Sequence, residues 1–148
     1  MTTKNSSATL THTKIEPYLI FEGRCEEAIN YYRTALGAEV TMLKRFSENP
    51  ETPAPGCAPI DGNKIMHASL CIGETTMLVS DGEGTGKPRF EGFSLSITAP
   101  DETGAKQLFA ALSNGGKIVM PLAKSFFAML FGMVADRFGV KWLVVVPF

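Results

Sequence analysis

His67 is the side chain in this sequence best suited to chemistry, because an imidazole exchanges a proton near neutral pH. It could act as a general base on a carbon or oxygen acid. A structural histidine that bonds to a neighbouring strand is the competing interpretation. The other histidine, His12, lies in a polar N-terminal segment, so neither a Ser-His-Asp nor a Cys-His arrangement is predicted.

Two short polar patterns could supply ligand contacts. Ser80 and Asp81 follow an apolar run, and side chains at the end of a strand can project into a cleft. Aspartate at such a place also initiates turns, so both interpretations stay open. Ser94 and Ser96 share one face of a predicted strand, where they could hydrogen-bond either a ligand or solvent.

The three cysteines, Cys25, Cys57 and Cys71, are irregularly spaced and do not predict a disulfide framework. Reduced thiols in the cytoplasm are the simplest interpretation. Cys25 begins a predicted helix, which would favour its thiolate, but the two glutamates that follow oppose that effect. A further hypothesis uses Cys71 with His67 and Asp81 as non-standard ligands of a metal ion.

An apolar, polarizable set of side chains occurs near the C-terminal end. Strand alternation would let one half of it line a flat hydrophobic cleft, although a core or a dimer interface explains it equally simply. The set comprises Phe126, Phe127, Met129, Phe131 and Met133.

Composition excludes several classes of protein. The chain has 148 residues, is 45% hydrophobic and carries a net charge of −1, so nothing indicates binding to nucleic acid or to an anionic membrane. Residues 1–14 are polar, which predicts a disordered tail and no signal peptide. The apolar stretch at 126–135 is too short to cross a membrane.

The apolar pattern predicts the same element order in both halves: strand, helix and then three strands. Residues 15–148 should therefore form one α+β domain of two paired βαβββ modules, at about 15–81 and 90–148, with a concave cleft between curved sheets. The segment 47–62 contains four prolines and should be a loop, and a position over the cleft mouth is one hypothesis for it. A single ferredoxin-like sandwich is the rival fold, and periodicity does not decide between strand and helix for 126–135.

Several stretches in this order resemble PhnB-like proteins of the vicinal-oxygen-chelate superfamily, which includes glyoxalases, bleomycin-resistance proteins and dioxygenases. The resemblance implies the paired βαβββ fold and a homodimer. Relatives carry labels from phosphonate or ubiquinone metabolism, but we find no glycine-rich nucleotide loop after a strand here. The stretches are PYLIFEGRCEEA (17–28), YY (31–32), LG (36–37), IMHA (65–68), MLVSD (77–81), FGMV (131–134) and DRFGVKW (136–142).

The resemblance also locates the four strand positions at which metal-binding members carry His or Glu. Here they fall at Pro17 or Tyr18, Met77, Gly92 or Phe93, and Leu143. None supplies the imidazole or carboxylate that such a site needs, so no metal and no cofactor are expected. Relatives also carry a histidine near Met129 and an asparagine near Val145, and both places are apolar in this chain.

These observations predict a cytoplasmic homodimer that binds a small, largely apolar molecule in a metal-free cleft. It would contact neither nucleic acid nor membrane. Two alternatives remain: a lyase or isomerase that uses His67 as the base on a carbonyl or enolizable substrate, and the metalloenzyme with non-standard ligands. The predicted ligand-binding residues are Tyr18, Ser80, Asp81, Phe93, Phe127, Met129 and Leu143.

Overall fold

The computed structural model describes residues 10–51 and 61–148, which form an α+β fold with two twelve-residue helices and two four-stranded sheets. The first half contains β1 (Tyr18–Ile20), α1 (Cys25–Leu36), β2 (Glu39–Arg45), β3 (Ile65–Ile72) and β4 (Thr75–Ser80). The second half contains β5 (Leu95–Thr98), α2 (Glu102–Ser113), β6 (Lys117–Ala123), β7 (Leu130–Ala135) and β8 (Lys141–Val146). A short 3-10 helix, Phe46–Glu48, follows β2.

Both sheets have the same topology. Their strand orders are β1-β4-β3-β2 and β5-β8-β7-β6, so each half is a βαβββ module. In each sheet the first strand pairs in parallel with the last, and the remaining pairs are antiparallel. The predicted pair of modules is confirmed. The rival ferredoxin-like sandwich is wrong, since that fold places its strands in a single sheet.

The helix ends follow the signals in the sequence. Gly37 ends α1 with φ of 67°, a left-handed conformation that glycine adopts without a steric penalty. Asp101 precedes α2, and its carboxylate accepts a hydrogen bond of 2.7 Å from the Gly104 amide. A side-chain cap of this kind stabilises a helix by about 1 kcal/mol.

One hydrophobic core joins the modules, and it lies on the side of each sheet that faces the helices. Tyr32 of α1 reaches into the second module, where its ring contacts Trp142 and its hydroxyl donates to Asp136 over 2.5 Å. Phe21 packs edge-to-face against Phe138, with ring centroids 5.6 Å apart. The face of each sheet opposite its helix therefore stays outside this core.

The apolar, N-terminal and proline-rich segments differ in how far the structure describes them. Of residues 126–135 only the last six form a strand, because the Ser125 hydroxyl accepts the amides of Phe127 and Ala128 and closes a turn. Residues 1–9 of the predicted tail and 52–60 of the predicted proline-rich loop lie outside the described residues, so both stay predictions. Within the described part of the chain, no helix is long and apolar enough to cross a membrane.

Candidate functional site

Within residues 10–51 and 61–148, each sheet presents one face that no helix covers. Side chains alternate between the faces of a strand, and burial follows that alternation in β3, β4, β7 and β8. We call the uncovered sides the first and second open faces. The first carries Tyr18, Met42, Lys44, His67, Ser69, Cys71, Thr76 and Leu78. The second carries Ser96, Thr98, Met120, Phe131, Met133, Leu143 and Val145.

Tyr18 and His67 form a hydrogen-bonded pair on the first open face. Tyr18 Oη lies 2.9 Å from His67 Nδ1, and the two ring centroids are 5.3 Å apart. When the imidazole proton is on Nε2, Tyr18 donates to Nδ1 and His67 offers an N–H to a ligand. When the proton is on Nδ1, Nε2 offers a lone pair that can accept a proton. The pair can therefore hydrogen-bond a ligand or act as a general base.

The surroundings of this pair are polar and partly basic. Lys44 lies directly opposite His67 in the register of β2 and β3, and its side chain is exposed. Ser69 follows on the same face, half-buried. The first open face thus offers hydrogen-bond donors and one cation beside the apolar Leu78 and Met42.

The second open face is largely apolar. Leu143 of β8 lies between Ser96 of β5 and Met133 of β7. Phe127, in the loop before β7, places its ring 5.0 Å from that of Phe131 and is 52% exposed. Thioether and aromatic groups of this kind are polarizable and adapt to apolar ligands. Phe127 therefore lies beside Phe131, on the same face that carries Leu143 two positions further along the strands.

Met129 and Phe93 lie at the margins of this surface. Met129 continues the row of Phe131 along the chain, donates its amide to the Val146 carbonyl and is 51% exposed. Phe93 lies in the segment before β5, and its ring contacts Phe90, which in turn contacts the core. Phe93 therefore belongs to an aromatic cluster beside the core rather than to the second open face.

Ser80 and Asp81 are held in the framework of the first module. The Ser80 hydroxyl donates to the Met66 carbonyl and accepts the Gly82 amide. Asp81 is 1% exposed, and its two carboxylate oxygens accept the amides of Cys25 and Ile65 at 2.8 and 2.7 Å. Asp81 thus caps the start of α1 and ties it to β3, which leaves neither oxygen directed to a ligand.

Strand register corrects two of the positions carried over for metal ligands. Met77 is buried against the helix side of its sheet, and the neighbouring Leu78 is the residue on the open face. In the second sheet Ser96, rather than residue 92 or 93, is the neighbour of Leu143. Sequence reasoning missed Leu78 as a site residue and left Ser96 open between a ligand contact and a solvent contact, although the alternation of burial along β4 and β5 is the signal that assigns both to the open faces.

The residues present do not fit a metal centre. His67 and Cys71 share the first open face but are four residues apart along β3, about 13 Å in an extended strand. Both carboxylate oxygens of Asp81 accept backbone amides. The three suggested ligands therefore do not converge on one point where a metal ion could bind. Over residues 10–51 and 61–148, no group of three or more His, Cys, Asp or Glu side chains could hold a metal ion.

The two cysteines of the described part differ in their surroundings. Cys25 is fully buried, and burial raises its pKa well above the ordinary value, with the Asp81 and Glu26 carboxylates adding to the rise. Its thiol therefore stays protonated and inert. Cys71 is half-buried on the first open face, where its Sγ lies 3.3 Å from the Gly73 carbonyl.

A cavity of about 550 Å³ separates the two modules on the side of the β3–β4 turn. Neither His67 nor any of the seven predicted ligand-binding residues lines this cavity. The cavity is separate from both open faces except along β5, where Ser96 and Thr98 border it. Its lining from the first module is Pro17, Leu36, Ile72, Gly73, Glu74, Thr75 and Met77, and from the second Leu95, Ser96, Ile97, Thr98, Leu108 and Trp142.

Known proteins resemble this chain over most of its length. Residues 13–145 match the model of a family described as 3-demethylubiquinone-9 3-methyltransferase. Protein YjdN of Escherichia coli is 34% identical over 136 residues, which is 88% of this chain and 92% of that protein. These matches span both modules, so the likeness concerns the whole fold.

Two solved structures share the fold. Protein PA1353 from Pseudomonas aeruginosa is 38% identical, with a TM-score of 0.79 over 91% of this chain and 98% of that one. The PhnB protein from Bacillus cereus, which also carries the name putative 3-demethylubiquinone-9 3-methyltransferase, is 28% identical, with a TM-score of 0.76 over 91% and 100%. The chain also shares its fold with a glyoxylase/bleomycin resistance protein/dioxygenase domain from Frankia sp. EAN1pec, which is 13% identical, with a TM-score of 0.62 over 92% of this chain and 96% of that one. The family match and the likenesses to YjdN and to the Bacillus cereus protein show that the chain belongs to the PhnB-like family.

Proposed function

We propose that this protein binds a small, largely apolar molecule against its open faces, without a metal ion. The observation that carries the proposal is the apolar surface formed by the exposed Phe127 and the half-buried Phe131, Met133 and Leu143. A surface of this kind, left outside the core, is typical of a ligand or protein contact. The Tyr18–His67 pair would supply the few polar contacts that orient the ligand.

The cleft requires two sheets that face each other, and we propose that a second copy provides one of them. Within one chain the modules meet through their helices and core, so neither open face is covered. A symmetric homodimer could place the first open face of one chain against the second open face of its partner. Such a dimer would also cover Met120 of β6, which lies on the second open face and is 45% exposed.

Light scattering measures the oligomeric state, and a monomer at micromolar concentration would refute the proposed dimer.

The ligand is tested by extracting purified protein with organic solvent and identifying the released molecules by mass spectrometry. Leu143→Asn should lower the yield of a bound molecule severalfold. Ile118→Asn is the matched control, because Ile118 is opposite Val134 and so does not belong to the second open face. Equal yields from both variants would contradict the location.

An enzyme that uses His67 as a base is the second candidate, favoured by the 2.9 Å contact between Tyr18 and His67. The exchange of carbon-bound protons of hydroxyacetone in D₂O, followed by NMR, is a suitable probe of proton abstraction. His67→Gln should abolish a catalysed exchange, and Tyr18→Phe, which removes the hydrogen bond to His67 Nδ1, should slow it. Exchange at the rate of the buffer alone for the unmodified protein would exclude this activity for that substrate class.

A methyltransferase activity finds no support in the geometry. Gly82, Gly84 and Gly86 follow β4, but the chain then continues in irregular conformation to β5. A nucleotide-binding loop instead runs from a strand into the N-terminus of a helix. The two free thiols of the described part are consistent with our proposal of a cytoplasmic setting.

A further inference from the structure

The cavity between the modules has the composition of a second binding site. Its walls are apolar, formed by Leu36, Ile72, Met77, Leu108 and Trp142 among others. Its volume of about 550 Å³ lies within the range of small-molecule sites in proteins. Residues of both modules line it, so the cavity lies between the modules.

The rim of the cavity supplies the polar groups. The hydroxyls of Thr75, Ser96 and Thr98 make no side-chain hydrogen bond within the described part of the chain. Glu74 is the only charged residue of the lining, lies exposed in the β3–β4 turn, and forms no ion pair with any described residue. A ligand that fits this arrangement has an apolar body and a positively charged end.

We propose that the inter-module cavity binds an apolar amine, with its hydrocarbon part against the walls and its ammonium group beside Glu74. The site is separate from the open faces and stands independently of the function proposed for them. A carboxylate at the mouth attracts a cation and repels an anion, so the charge of the ligand's end group should set the order of affinities.

Decylamine, decanol and decanoate test this, because they share one apolar chain and differ in charge. Their binding is measured by displacement of the neutral fluorescent probe N-phenyl-1-naphthylamine. We expect decylamine to bind about 1.5- to fivefold more tightly than decanol, the range for a solvent-exposed ion pair, and decanoate to bind most weakly. Glu74→Gln, a change in an exposed turn, should remove the advantage of the amine.

Two neighbouring substitutions locate the site. Thr75→Phe places a ring at the rim of the cavity and should weaken probe binding about tenfold. Thr76→Phe is the matched control, because Thr76 points to the first open face and should leave binding unchanged. Leu143→Asn should also leave it unchanged.

Three outcomes would overturn the inference: equal binding of the three decyl compounds, an amine advantage that survives in Glu74→Gln, or equal effects of the two phenylalanine variants. Loss of the probe in Leu143→Asn together with normal binding in Thr75→Phe would place the probe on the second open face. That result would reject the cavity as the site while supporting the function proposed above.

Discussion

The Asp136 carboxylate is the polar centre of the contact between the modules, and its replacement should be costly. It is 3% exposed and accepts four hydrogen bonds. One oxygen takes the amides of Phe138 and Val140 at 2.9 and 3.1 Å. The other takes the Tyr32 hydroxyl of α1 and the Trp142 indole N–H, at 2.5 and 2.9 Å. Asp136→Asn keeps the shape of the side chain and removes its charge.

The expected loss follows from the donors that remain. The asparagine oxygen can still accept hydrogen bonds from the two backbone amides. Its NH₂ group then faces the Tyr32 hydroxyl and the Trp142 N–H, which are both donors. The Tyr32 hydroxyl can rotate to accept, whereas the Trp142 N–H can only donate and loses its partner. Hydrogen bonds to a charged group contribute about 1.5–3 kcal/mol each, and a buried group without a partner costs about 1–3 kcal/mol. We therefore expect Asp136→Asn to lower the free energy of unfolding by about 2–4 kcal/mol.

Urea unfolding at one fixed protein concentration measures this loss, with circular dichroism as the signal because the variant alters the surroundings of Trp142 itself. Asp101→Asn is the matched control. That residue is exposed and caps α2, and asparagine caps a helix about as well as aspartate. A change below about 0.5 kcal/mol for Asp136→Asn, no larger than the control, would refute the role assigned to the buried carboxylate.

Three further predictions concern the cysteines and one glycine. In a Cys57→Ser background, a thiol reagent should modify Cys71 quickly and Cys25 only on unfolding. The reason is that Cys25 is buried and its pKa is raised. Equal rates of modification at the two cysteines would contradict this prediction. The folded state holds the Cys25 proton, whereas the unfolded chain releases it near its ordinary pKa of 9.0. The contribution of Cys25 to stability should thus be constant below pH 9 and be lost above it, and Cys25→Ala should make the fall between pH 9 and 10 shallower. Tyr32, whose pKa burial also raises, adds a fall above pH 10 that this variant keeps. Gly132→Ala should lower the free energy of unfolding by about 1–3 kcal/mol, because the alanine Cβ would lie 2.8 Å from the Phe109 ring. Urea unfolding measures this loss. An unchanged free energy of unfolding would show that α2, which carries Phe109, can move.

The fold was predictable where local signals are strong. The hairpin of β3 and β4 is predictable from the sequence, because β-prone residues flank the turn at Gly73. The end of α1 is likewise signalled by Gly37, which adopts the left-handed conformation there. Residues 126–129 gave no such signal, since apolar residues fill every position and the turn depends on the Ser125 hydroxyl.

The candidate site was less predictable, because its residues are defined by contacts across the chain. Asp81 could be read as a ligand contact or a turn residue, and only the fold shows that amides 16 and 56 residues away converge on it. The pairing of Tyr18 with His67 likewise joins positions 49 residues apart. The family resemblance placed a metal-ligand position at Met77, but its neighbour Leu78 is the residue on the open face. A shift of one residue along a strand moves the side chain to the opposite face of the sheet.

Native mass spectrometry of protein prepared without chelator tests the central claim most directly, because one spectrum reports the number of chains, bound organic molecules and metal ions. We predict a dimer that carries an organic molecule and no stoichiometric transition metal, and that loses the organic molecule in Leu143→Asn. A monomer, or a mass raised by one metal ion per chain that disappears in His67→Ala, would contradict the account.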